Sequence, residues 1–244
     1  MRHLGRSCVS HQTSCAEEEI VRLVGVCFAL SVSGSLLVSQ PSPADALRSV
    51  FPQSTEITLA LSGAPPQLRD SATVFAYGPN GYERVRAGSN GLTCLLNRDA
   101  IFYGASQFKP TCWDDVGAAT YVPVMLKVGE QLSKGASLES LRSTIADGFA
   151  RGQFRAPTTG GVAYMLAGDL ELDLKTGEVR RQAFPGHYMF YAIGATTAQF
   201  GVTRAALAKD PTLPTVFSGG AGGAQGLSYI IVVPNSIGGE ARQH

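Results

Sequence analysis

The sequence predicts an α+β domain: a largely antiparallel sheet, a helical middle segment over about 124–151, and one disulfide. Three observations carry this expectation. β-branched and aromatic runs bounded by turn residues lie on both sides of the middle of the chain. Between them, Leu138, Leu141, Ile145 and Phe149 recur at helical spacing and form one apolar stripe. Of the five cysteines, only Cys94 and Cys112 follow residue 46.

The N-terminal region reads as a secretory signal peptide over 1–46. The stretch 23–38 is apolar and uncharged, and Ala44-Asp45-Ala46 fits a small-x-small cleavage site with Leu47 as the first mature residue. At about 16 residues, diluted by Ser and Gly, the stretch falls short of the roughly 20 that a spanning helix needs. No stable membrane span is therefore expected after cleavage. Glu17-Glu18-Glu19 stands where such a peptide wants positive charge, so 1–20 reads as a mis-called extension with translation starting at Val21. The expected organisation is completed by an unstructured leader at 47–54, a single domain at 55–236 and a tail at 237–244. The protein is expected to be exported, to the periplasm or beyond the cell.

From residue 47 onward the chain carries 17 basic and 15 acidic residues, a net charge of +2. That balance, without any Lys/Arg cluster, argues against a nucleic-acid footprint. Two cysteines in an exported domain point to a Cys94–Cys112 disulfide. Closing a loop of that size is worth about 3 kcal/mol in the chain-entropy model. A free thiol or a metal pair are the alternatives.

Taken in order, 56–61 is ambiguous between helix and strand, and Pro65-Pro66 ends it. The runs 73–77 and 82–86 flank Asn80-Gly81, a strong hairpin signal. A third strand is expected over 91–96, pinned by the disulfide to a loop holding Cys112 and Trp113. Ser137 caps the periodic helix, Gly152 closes it, and 124–133 forms a weaker helix ahead of it. Strands are expected at 162–166, 170–174, 178–181 and 188–192, then a short helix at 203–209. A glycine-rich loop spans 218–226. The most apolar strand, 227–233, is expected at the centre of the sheet.

Several blocks taken together carry a resemblance. They are Gly88-Ser89-Asn90-Gly91-Leu92-Thr93-Cys94, then Cys112, Gly161-Val162-Ala163-Tyr164-Met165-Leu166, Gly186-His187-Tyr188-Met189-Phe190 and Tyr229-Ile230-Ile231-Val232-Val233-Pro234. In this order they resemble a group of uncharacterised exported bacterial proteins. The resemblance runs from about 55 to 234. It implies one exported domain and carries no activity.

His187 is the one histidine after residue 46 apart from the terminal His244. A histidine-rich zinc site is thereby excluded, and neither metal nor organic cofactor is expected. His187 is a general-base candidate near pH 7, or a strand-entry histidine held by the backbone. Its sharper reading sets it, partly exposed, in a concavity lined by some of Tyr164, Tyr188 and Tyr229. Alternation places Tyr188 and Phe190 on one strand face and Met189 and Tyr191 on the other, with one of these pairs buried. Asp169, Glu171 and Asp173 alternate onto one face, read as a solvated hairpin rather than a calcium site. The expected function is binding or structural. The alternative is a hydrolase, resembling cell-wall amidases and peptidases, that pairs a Cys94 nucleophile with His187.

Overall fold

The computed structural model describes residues 41–217 and 227–234, and in them an α+β fold with a mostly antiparallel sheet. The 23–38 stretch, Glu17-Glu18-Glu19, most of the expected signal peptide, the 218–226 loop and the 237–244 tail lie outside these residues. Among the described residues, no helix is long and apolar enough to cross a membrane.

The chain enters through α1 (Pro43–Leu47) and α2 (Gln53–Ser62). The hairpin β1 (Thr73–Gly78) and β2 (Gly81–Arg86) follows, then β3 (Thr93–Asn97) and β4 (Lys109–Trp113). Two helices come next, α3 (Asp115–Ser133) and α4 (Leu138–Ala150). The second half contains β5 (Val162–Met165), the hairpin β6 (Asp169–Leu172) and β7 (Val179–Phe184), and β8 (His187–Tyr191). It ends with α5 (Arg204–Lys209), β9 (Thr215–Phe217) and β10 (Tyr229–Val232). Eight strands form one sheet in the order β2-β1-β3-β4-β5-β8-β10-β9, while β6 and β7 pair separately. Among the described residues, only the β1–β3 pairing is parallel.

Register sorts the side chains by face. Cys94 lies opposite Cys112, Cys112 opposite Tyr164, and Tyr164 opposite Tyr188, so one row crosses four strands on one face. The Cys94–Cys112 disulfide forms within that row. There the two cysteines pack with Ala60 and Ala64, which cover this face from α2 and its C-terminal end. The opposite face carries Leu95, Thr111, Trp113, Ala163 and Met189. It buries them against Tyr121, Val124, Met125, Val128 and Leu132 of α3 and against Leu141 and Ile145 of α4.

Several expectations change here. The 47–54 leader is not unstructured: Leu47 is fully buried, Phe51 is 3% exposed, and α2 begins at Gln53. Two isolated apolar residues leave no periodicity to read, and their order comes from distant groups. Arg98 Nε donates to the Leu47 carbonyl at 3.0 Å and its Nη2 to that of Ser49 at 3.2 Å. The 56–61 ambiguity resolves as helix, with the Glu56 carboxylate buried against Arg98 at 2.5 Å. Helix α3 starts nine residues before 124, capped by Asp114, and runs through Pro123. Tertiary burial of Tyr121, Val124, Met125 and Val128 outweighs the lost hydrogen bond. Cys112 and Trp113 lie in a strand, not a loop. Of the β4 residues, only Cys112 and Trp113 pair with β5, so Pro110 sits where β4 has a partner on one side. Strand β10 is next to the edge rather than central, because β9 is short and forms the border.

Candidate functional site

A cavity of about 250 Å³ opens on the helix-bearing face of the sheet. Four strands supply its floor by alternation: Lys109, Thr111 and Trp113 from β4, Met165 from β5, His187 and Met189 from β8, and Tyr229 and Ile231 from β10. Asp99 enters from a 3-10 turn directly after β3, and Asp169 and Phe184 from the base of the β6–β7 hairpin. Phe217, on the edge strand, completes the wall. The lining is thus mostly apolar and aromatic with a few convergent polar groups, the usual composition of a ligand pocket.

Four ionisable groups meet in this cavity. Lys109 Nζ lies 3.2 Å from Asp99 Oδ1, and both side chains are about nine-tenths withdrawn from solvent. The contact is an ion pair without hydrogen-bond alignment, so the buried Asp99 Oδ1 has no hydrogen-bond partner. Asn97 Oδ1 is occupied by the Asp99 backbone N–H, which fixes the turn. The Lys109 ammonium also sits 4.5 Å from the centre of the Tyr103 ring and 5.8 Å from that of Phe217. Burial pushes the Asp169 carboxyl above its usual range; Lys109 opposes this and the Asp99 charge adds to it.

His187 is 3% exposed, so it is buried rather than partly exposed as the sharper reading required. Its Nδ1 lies 2.9 Å from the Pro185 carbonyl oxygen. A carbonyl only accepts, so Nδ1 carries the hydrogen and Nε2 keeps its lone pair in the neutral ring. Burial, with the Lys109 charge added, holds the imidazole below its ordinary pKa despite that hydrogen bond. The ring packs edge-to-face on Phe184.

Of the expected companions, only Tyr229 joins His187. Its hydroxyl accepts from Trp113 Nε1 at 2.9 Å, and burial drives its pKa up. Tyr164 and Tyr188 face the other way and meet edge-to-face at 5.8 Å. The reason is the two-residue period: His187 and Tyr188 are neighbours in sequence and so lie on opposite faces. Met189 and Tyr191 are the buried pair, and Phe190 is 43% exposed. Cys94 is not brought to His187. Its sulfur is bonded to Cys112 on the disulfide face, so the nucleophile–base pair does not assemble.

Asp169 also departs from expectation. Glu171 and Asp173 do form the solvated hairpin face, paired with Arg181 and Arg180. A register shift between Asp169 and Leu170, beside the bridge from Leu170 to Phe108, turns Asp169 into the cavity instead. Nothing in the sequence marks Asp99, Lys109, Trp113 and Phe217 together as site residues. For Lys109 and Trp113 the signal was present: Lys109, Thr111 and Trp113 alternate as a strand, masked by the intervening Pro110.

Close glycine contacts hold the wall in place. A Cβ on Gly117, at the start of α3, would come 2.7 Å from Trp113 and 2.1 Å from Tyr191 Oη. That hydroxyl donates to Asp114 Oδ1 at 2.5 Å, so cap, helix and cavity floor interlock. Among the described residues, no group of three or more His, Cys, Asp or Glu side chains is placed to hold a metal. No family model, curated protein or solved structure matches the chain.

Proposed function

We propose that the chain is an exported binding domain that holds a small organic molecule in the cavity between β4, β8 and β10. The observation that carries this reading is the convergence of Asp99, Lys109, Asp169 and His187 in one aromatic-walled cavity of about 250 Å³. Grouping four ionisable side chains out of solvent costs stability unless something offsets it. A bound ligand offsets such a cost, whereas a purely structural core would be more stable with apolar residues at these positions. The volume lies just below the ~300–1,000 Å³ common for small-molecule sites, so the ligand is compact. Export is supported by the signal-peptide pattern of 1–46 and by the Cys94–Cys112 disulfide, which persists in oxidising compartments. Binding is favoured over hydrolysis because His187 lines the cavity while the Cys94 sulfur is bonded to Cys112 on the other face of the sheet.

Trp113 is the only tryptophan in the chain and it lines the cavity, so its fluorescence reports occupancy directly. Small aromatic probes are expected to shift that emission in a saturable way. Ile231→Phe, a partly exposed cavity-wall position, should abolish the response while leaving the melting temperature nearly unchanged. Saturable binding that persists unaltered in Ile231→Phe would place the site elsewhere and defeat the reading.

A further inference from the structure

The chemistry of the cavity narrows the ligand class; the inference rests on the binding role proposed above. Its acceptors are two carboxylates and an imidazole: Asp99 Oδ1 is buried with no hydrogen-bond partner, Asp169 contributes a second carboxylate, and Nε2 of the neutral His187 keeps its lone pair. Against these stand the Lys109 ammonium, the Asn97 side-chain amide and the Tyr229 hydroxyl hydrogen. Thr111 brings no donor to the cavity, since its hydroxyl donates to the Lys109 carbonyl at 2.9 Å.

Charge is unbalanced. Two carboxylates face one ammonium, and the imidazole is neutral, so the ionised cavity carries one surplus negative charge. An anionic ligand would have to compete with Asp99 for Lys109, placing a third negative group in the site. A monocation neutralises the site and donates to the carboxylates. The aromatic wall suits the same guest. Trp113, Phe184, Phe217 and Tyr229 border the cavity, and rings of this kind attract cations through their negative faces. Lys109 already rests against two such faces, those of Tyr103 and Phe217.

We propose that the ligand is a small primary amine in its ammonium form, with a compact apolar body. The ammonium sits between Asp99 and Asp169 and donates to both, and the body packs on Trp113, Met189 and Tyr229. His187 Nε2 accepts a further hydrogen bond from the ligand.

Three probes of nearly equal size separate the possibilities: benzylammonium, benzyl alcohol and benzoate, titrated at pH 7 against Trp113 emission and by calorimetry. Benzylammonium is expected to bind at least tenfold tighter than benzyl alcohol, with benzoate weakest. In Asp169→Asn, an isosteric change, the preference should fall to within about threefold while benzyl alcohol binds as before. Asp99→Asn should act in the same direction and serves as the second variant if the first is unstable. Benzoate binding tightest would make Lys109 the anchor. Benzyl alcohol binding equally well would make charge irrelevant. Either result overturns the amine assignment and leaves the binding role intact. If none of the three binds more than it does to Ile231→Phe, the binding role falls and the amine assignment falls with it.

Discussion

His187 illustrates how one hydrogen bond fixes a residue's chemistry. The Pro185 carbonyl selects the tautomer, and burial beside Lys109 disfavours a second proton. The imidazole pKa in the folded chain therefore lies below its ordinary 6.5. Between that lowered value and 6.5 the unfolded chain binds more protons than the folded one, so stability rises with pH there and is complete above 6.5. Asp169 behaves oppositely: its raised pKa means that stability is lost as pH rises from 3.8 through the folded value. Subtracting one variant from the parent isolates the histidine. His187→Asn keeps an N–H donor for Pro185 but cannot charge, so its melting temperature should change less than the parent's between pH 7 and pH 5. Parallel curves for the two proteins would show that His187 is protonated as easily folded as unfolded.

At the scale of elements, the disulfide joins neighbours that already pair. Cys94 and Cys112 are register partners on β3 and β4, and both are fully buried under α2. The cross-link therefore constrains chiefly the unfolded chain, where it closes a loop across 18 residues. Reduction should cost about 2–4 kcal/mol, read as a lower denaturant midpoint with an unchanged far-ultraviolet spectrum. An unchanged midpoint would mean that the β3–β4 ladder alone carries this part of the sheet. The position of the bond also bears on what the sequence disclosed. The two cysteines, the Asn80-Gly81 hairpin and the stripe of α4 were legible because each rests on local chemistry with a short range. The strand character of β4 was not, because Pro110 is tolerated only through a one-sided pairing that no local pattern announces. The cavity was half legible for a related reason. His187 and Tyr229 stood out as residue types, but Asp99 and Asp169 are aimed by a 3-10 turn and a register shift.

Across the whole molecule, the least legible part is the N-terminal strap of 41–52, whose order depends on a buried guanidinium far along the chain. Arg98 is fully buried and pairs with Glu56 at 2.5 Å. It also donates to the carbonyls of Leu47, Ser49 and Leu96, and its charge lies 4.0 Å from the centre of the Tyr77 ring. Arg48 repeats the device on the surface, donating to the carbonyls of Leu132, in the last turn of α3, and Ala136, just beyond it. The strap thus closes over the core and supplies backbone acceptors for Arg98 N–H groups beside the Glu56 pair. Cleavage after Ala46 keeps every one of these groups, since Leu47, Arg48, Ser49 and Phe51 all follow it. A chain starting at Leu47 should therefore fold with a denaturant midpoint close to that of a chain starting at Pro41. A chain starting at Gln53 loses the buried Leu47 and Phe51 and two acceptors of Arg98, a loss on the order of 5 kcal/mol. That matches the low end of the ~5–15 kcal/mol total stability of a domain, so this chain should lack a cooperative unfolding transition. A sharp transition in the chain starting at Gln53, at the midpoint of the longer ones, would show that the core closes without the strap and that Arg98 is satisfied by Glu56 alone.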